Sequence, residues 1–321
     1  MNAIVPSSAD RHGSLLARLS RQSVVKHFDA YADIDWEHPD HRIDLDDPRW
    51  EKDVDDPLGA TEWYRSQPQP VRARIGLHHV VCQMKIGVAF EAILSRGLLE
   101  FASALPNGSP EFRYAYHELI EEGQHSLMFQ ELVNRSGLEA RGLSRLDAFG
   151  ARFVPRLGVT FPELFFLFVL GGEAPIDHVQ RRALEKRELH PLLRLIMRIH
   201  VTEEARHLAF AKSLLAERVP RLGRMRRFQL QVRTPLVLAA SARSMLVPPA
   251  ELVETYAIPR AVLRRAYRDY PRHRAGVIES IESVRALCRR IGLLTPRSLP
   301  LWKALGVAGS EPSVLALPAA A

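Results

Sequence analysis

The chain has 321 residues, 46% apolar and 25% charged, which is enough for one large domain or two smaller ones with a sizeable core. Its only cysteines, Cys82 and Cys288, are too few for a thiolate zinc or iron-sulfur site and read as inert core residues, and no uninterrupted apolar run reaches the ~20 residues of a membrane span. The net charge of +7, from 44 Lys and Arg against 37 Asp and Glu, comes with no nucleic-acid-binding motif and no apolar signal core, so no nucleic acid, no membrane and a cytoplasmic location are expected.

Residues 1 to about 20 show little apolar periodicity and are expected to be mobile. They open an N-terminal arm, 1–60, whose acidic part carries Trp36 and Trp50 among prolines and aspartates and leads on to Trp63; these aromatics should pack on the body. A long helical pattern runs over about 71–105 and closes at Pro106-Asn107-Gly108. A second helix is expected over 110–134, ending near Gly137, followed by an irregular connection to Gly158. The third, about 161–189, begins with Phe161, Phe165, Phe166 and Phe168, which read as core packing. Pro191 separates it from a fourth at about 192–219. Further helices are expected at 224–247, 249–256, 259–269 and 273–291, and the Pro- and Ala-rich tail, 296–321, should fray. No strand alternation and no repeat of fixed period is present, so the class is all-α, with one helical domain over 61–295.

The fourth helix carries His200-Val-Thr-Glu-Glu-Ala-Arg-His207. At about 100° per residue, His200, Glu204 and His207 fall within roughly 60° of one another, while Glu203 is rotated off that stripe. Leu193, Ile196, Ala211 and Leu214 continue it, so three polar side chains point where a core should be. The second helix carries a matching Glu122-Gly-Gln-His125. A four-helix di-metal carboxylate site takes one Glu-x-x-His from each of two helices and one Glu from each of the other two. On the first helix Glu91 and Glu100 lie nine residues apart on opposite faces; Glu91 shares its stripe with Val88, Leu94 and Leu98, has Gly87 one turn before it, and is the choice. On the third, Glu173 continues the stripe of Phe166, Val169 and Leu170, and Gly171-Gly172 before it with Pro175 after it suggest a distorted turn. Four carboxylates and three neutral imidazoles would be neutralised by two divalent ions, and mixed oxygen and nitrogen donors suit iron or manganese. Glu118 and Asp177 are candidates for orienting the ligating imidazoles.

The order Glu91, Glu122-x-x-His125, Glu173, Glu204-x-x-His207 resembles the ferritin-like di-iron carboxylate superfamily, a four-helix bundle core here extended by N- and C-terminal helices. The extra His200, one turn before Glu204 and 27 residues after Glu173, is similar to the p-aminobenzoate N-oxygenase family of di-iron arylamine oxygenases. That resemblance implies that Glu91, Glu122, His125, Glu173, His200, Glu204 and His207 ligate two iron ions, whereas the donor types alone leave manganese open. It implies O2 as co-substrate and an aromatic amine oxidised stepwise to hydroxylamine, nitroso and nitro products in secondary metabolism. The alternatives are a di-iron oxygenase that hydroxylates or desaturates carbon, or a ferritin-like iron-oxidising or peroxide-reducing protein. With no flavin or nicotinamide fingerprint, electrons should come from outside, from a ferredoxin or a flavin or NAD(P)H reductase. The Arg-rich stretches Arg221–Arg233 and Arg260–Arg274 are the expected docking surface, and a homodimer is the expected assembly.

Overall fold

The computed structural model of the protein describes residues 8–309. The helices in chain order are α1 (Ser8–Val25), α2 (Glu62–Arg65), α3 (Gln69–Ser103), α4 (Pro110–Ser136), α5 (Arg145–Ala151), α6 (Leu157–Thr160), α7 (Pro162–Leu184) and α8 (Pro191–Arg218). They are followed by α9 (Arg224–Leu246), α10 (Ala250–Thr255), α11 (Arg260–Leu263), α12 (Pro271–Ser280), α13 (Glu282–Arg290) and α14 (Leu299–Ala304). No strand occurs among the described residues, and the protein is all-α.

Helices α3, α4, α7 and α8 form the bundle, with α3 packed on α4, α7 on α8, and contacts across both pairs. Each starts with a proline in its first two positions, where the missing N–H has no partner to lose and φ is already helical. Helix α4 stops at Gly137, which takes a left-handed φ of 65°. One end of the bundle is filled by Phe101, Tyr114, Phe165, Phe166 and Phe210 in edge-on and tilted contacts, such as 5.1 Å between the Phe101 and Phe166 centroids. Leu77, Val81, Leu132, Leu193 and Ile196 fill the other end. The four buried Glu and three buried His named above lie between these two apolar plugs. Two stretches, Gln69–Ser103 and Arg224–Thr255, are long and apolar enough by length and composition to cross a membrane; in α3 that apolarity belongs to the bundle core.

Several expectations are corrected. The stretch expected to be mobile up to about residue 20 forms α1 from Ser8 onward and packs on α4 and α8. Its buried face consists of His12, Leu16, Leu19, Ser20 and Ser23, only two of them apolar, so the helical period is masked. His12 bonds Ser213 at 2.7 Å and lies near Glu111 and Glu217. Further along the arm, Trp36 and Trp50 are buried as expected, and Trp50 stacks on His190 at 4.1 Å. The connection before Gly158 contains α5 and α6; α5, capped by the Ser144 hydroxyl, buries no residue and so leaves no stripe to read. Around Glu173, where a distorted turn was expected, α7 is helical throughout with Pro175 inside it. Gly172 acts sterically: a Cβ there would sit 1.9 Å from Phe90 Cζ. The single helix expected over 259–269 becomes α11 followed by a π-helical turn, Arg264–Asp269, and the one expected over 273–291 is divided at buried Ile281. Residues 299–309 pack rather than fray, with Trp302, Val307 and Ala308 buried and the Ala308 carbonyl accepting from Arg285. The rest of the expected tail, 310–321, and residues 1–7 lie outside the described residues.

Candidate metal centre

The seven side chains singled out above converge from four helices. Glu122, His125, Glu204 and His207 form one group of facing donor atoms; Glu91, His125 and His200 form a second; Glu173, His200 and Glu204 form a third. Within each group the donors lie within 4.8 Å of one another, and His125, His200 and Glu204 each belong to two groups. None of the seven is more than 3% exposed.

The imidazoles have a consistent orientation. His125 turns Nδ1 toward the centre, 3.0 Å from Glu122 Oε2, and Nε2 away to Glu203 Oε2 at 3.0 Å. His207 does the same, with Nδ1 2.9 Å from Glu204 Oε1 and Nε2 2.7 Å from Glu121 Oε2. His200 is reversed: Nδ1 meets Gln180 Oε1 at 2.8 Å, and Nε2 faces Glu91 at 3.6 Å and Glu204 at 3.8 Å. In each ring the outer nitrogen meets an acceptor and donates its N–H, so the inner nitrogen is the one offered to the centre. Such outer partners fix ring orientation and raise the basicity of the inner nitrogen.

Glu121, Glu203 and Gln180 were not among the sequence candidates. Glu203, expected to be rotated off the buried stripe, is fully buried. The two acids cross-brace the helices: Glu121 of α4 holds the His207 of α8, and Glu203 of α8 holds the His125 of α4. Arg206 closes the brace, 2.8 Å from Glu121 and 3.4 Å from Glu203, and the Phe28 N–H donates to Glu203 at 3.2 Å. The available signal was the doubled Glu-Glu-x-x-His in Glu121-Glu122-x-x-His125 and Glu203-Glu204-x-x-His207. A helical period assigns one face, whereas the flank of that face here meets another helix. Of the two residues proposed for orientation, Asp177 is taken up by Arg181 at 2.8 Å, and Glu118 is fully buried with neither oxygen hydrogen-bonded.

The electrostatics favour cations at the centre. Burial, and after it the charge of neighbouring carboxylates, pushes Glu91 and Glu173 well above the ordinary carboxylate range; Glu204 is raised too, chiefly by burial. Burial also acts on Glu122, but His207 and His125 more than offset it and hold its carboxyl well below that range. His125, against the pull of burial, is raised to about 9 by Glu122 and Glu203, and His207 is raised well above the ordinary histidine range by Glu204 and Glu122. Burial and then the charge of His125 push His200 well down. Burial works against the charged form of Glu121 as well, yet His207 and Arg206 hold it at about 2, so it accepts rather than donates.

A two-metal fit can be tested on the donors themselves. Glu91 Oε2, Glu122 Oε1 and Glu204 Oε2 are buried and make no hydrogen bond, although Glu122 Oε1 lies 3.2 Å from His207 Nδ1, and all three carboxylates belong to the groups of facing donors. Orphaned carboxylate oxygens in a dry interior are costly unless they bind a cation. Four carboxylates and three imidazoles match two divalent ions in charge, and their oxygen and nitrogen character suits iron or manganese. The residues fit such a group.

Residues 10–292 match the family described as P-aminobenzoate N-oxygenase AurF. Uncharacterized proteins of Mycobacterium bovis and Mycobacterium tuberculosis are each 40% identical over 296 residues, covering 92% of this chain and 87% of the relative.

Proposed function

The chain belongs to the p-aminobenzoate N-oxygenase AurF family, and from that premise we propose that it is a two-iron, O2-dependent oxygenase that adds oxygen to the nitrogen of an aromatic amine. The observation that carries the reading is the convergence of seven buried donors with three imidazoles each turned by its own outer partner. Glu91, Glu122, His125, Glu173, His200, Glu204 and His207 would hold the metals. Bound there, the reduced metals would supply the electrons and the Lewis acidity that O2 activation requires.

The protein's own contribution is preorganisation. Glu121, Glu203 and Arg206 fix two histidines before any metal arrives, and Gln180 fixes the third. The plugs of apolar side chains above and below exclude water, so a reactive centre is shielded from side reactions. The open side is apolar and aromatic: Phe90, Phe129, Met84, Met197 and Met245 enclose a chamber of about 40 Å³ beside Glu91, Glu173 and His200. An aromatic ring fits such a lining chemically, and the flexible methionines can move to admit it. Electrons would come from a separate donor docking on the exposed arginines of α9 and of the α11–α12 segment.

The test is turnover of purified, iron-loaded protein with a donor system, an arylamine such as 4-aminobenzoate, and isotopically labelled O2. Label in an N-oxygenated product is the expected result. Label on carbon only, or iron oxidation with no organic product, would replace the N-oxygenase reading by one of the alternatives.

A further inference from the structure

The helix faces that carry Glu91 and Glu173 continue beyond the centre. His79, Gln83, Gly87 and Glu91 follow one another at four-residue intervals along α3, and Glu173, Ile176, Val179 and Ala183 run alongside on α7. Gln83 and Val179 line the small chamber at the centre and also a larger cavity of about 450 Å³. The two spaces therefore adjoin at those two side chains. From His79 to Glu91 is twelve residues, or about 18 Å of helix. A one-ring amine is too short to touch both.

The polar groups of the larger cavity divide sharply. Its bases are all committed: Lys52 to Asp56 at 2.8 Å, Arg272 to Asp55 at 3.2 Å, Arg182 to Glu279 at 3.8 Å, and Lys186 to Asp53. Several of its neutral groups are not, although Gln83 donates to the Met245 carbonyl at 3.4 Å. Both ring nitrogens of His79 lack a partner among the described residues although the side chain is only 5% exposed, and the buried Tyr267 hydroxyl and His178 Nε2 lack one too. Tyr267 stands on the π-helical turn Arg264–Asp269, a geometry that recurs at functional sites, with its ring edge-on to His273 at 5.2 Å. Buried polar groups without partners are rare and costly, and several lining one cavity point to a ligand that satisfies them.

We propose that the larger cavity binds the far end of an elongated substrate, through an uncharged hydrogen-bonding group such as a hydroxyl or an amide held by His79 and Tyr267. The reacting end lies in the chamber at Glu91, Glu173 and His200; its identity as an amine rests on the function proposed above, whereas the distal site stands on its own geometry. A neutral imidazole offers one donor and one acceptor, which matches a hydroxyl or amide. Burial, and after it the charge of Lys52, pushes His79 down to about 3, so it offers no cation to a carboxylate.

The experiment measures binding by calorimetry to the full chain. The probes are anilines with 4-alkyl chains of rising length, ending in a hydroxyl, a methyl or a carboxylate. The expected result is a step of about five- to tenfold in affinity, as one or two net hydrogen bonds give, at the chain length that reaches His79, for the hydroxyl series alone. His79→Phe and, independently, Tyr267→Phe should each reduce the hydroxyl-to-methyl affinity ratio toward one. A smooth rise with length that is the same in all three series, a step of equal size for the carboxylates, or no binding of any probe would overturn the proposal. Oxidation of the same probes is followed in parallel. A hydroxyl step without N-oxidation sinks the function proposed above and leaves the distal site standing; N-oxidation without a step does the reverse.

Discussion

The two sides of the centre are built differently. On the α4–α8 side, His125 and His207 are locked by Glu203 and Glu121, which Arg206 ties together, and each helix braces the ligand of the other. On the α3–α7 side, Glu91 and Glu173 are raised by burial and by neighbouring carboxylates, one oxygen of Glu91 has no partner, and a chamber opens beside them. The contrast separates two tasks within one constellation. On the proposed function, the braced side would hold metal. The open side, with its chamber, would leave space for substrate.

The largest effect that could break this comparison is loss of Glu204, which belongs to groups on both sides. Glu204→Ala should abolish metal loading, as read by iron analysis; normal loading would show that the sides are not joined through it. Next comes the brace. Arg206→Leu leaves Glu121 and Glu203 buried without their cation, and should cost about 3–5 kcal/mol of stability in urea unfolding. It should also lower metal affinity about 10- to 100-fold, as loss of outer partners does. His200 joins the open side through Glu91 and Glu173. His200→Ala should therefore keep a folded protein that still binds iron but lose oxygenation, and unchanged turnover of an arylamine would reduce His200 to a core histidine.

A smaller effect sharpens the comparison at the far end of the open side. Burial pushes His79 from its ordinary 6.5 to about 3 and His190 to about 4. Below pH 6.5 the unfolded chain binds protons there that the folded chain refuses, so stability falls on acidification through that window, by up to about 1.4 kcal/mol per pH unit for each histidine. His79→Phe should flatten this slope by the share of one histidine in urea unfolding between about pH 7 and about pH 4. An unchanged slope would mean that His79 titrates normally and is not held where burial keeps it neutral. The smallest effect concerns the exposed arginines. Donor-driven turnover should fall as salt shortens the screening length from about 10 Å at 0.1 M to about 3 Å at 1 M, while a single turnover of chemically reduced protein should not.

The sequence carried the inward-facing stripes well, because each ligand interrupts an apolar run at helical spacing. His200, Glu204 and His207 are legible among Leu193, Ile196, Ala211 and Leu214, and all seven donors found this way meet in space. The brace was not legible. Glu121 and Glu203 sit about 100° from Glu122 and Glu204 but about 40° from His125 and His207, at the flank of the stripe, and the packing of α4, α8 and α1 on one another buries them. Helix α1 was missed for a related reason: His12, Ser20 and Ser23 do on its buried face what apolar residues usually do. The steric role of the glycines before Glu173 was not legible, since Gly172 makes room for the Phe90 ring and a composition pattern does not say which neighbour is close.

The central claim is that these seven residues hold two metal ions. It is tested most directly by titrating metal-free protein with ferrous iron under anaerobic conditions, counting bound ions by calorimetry and elemental analysis. The account predicts two ions per chain for the unaltered protein and none held tightly after Glu122→Ala with Glu204→Ala. A single ion per chain, or two ions that survive the double substitution, would contradict it.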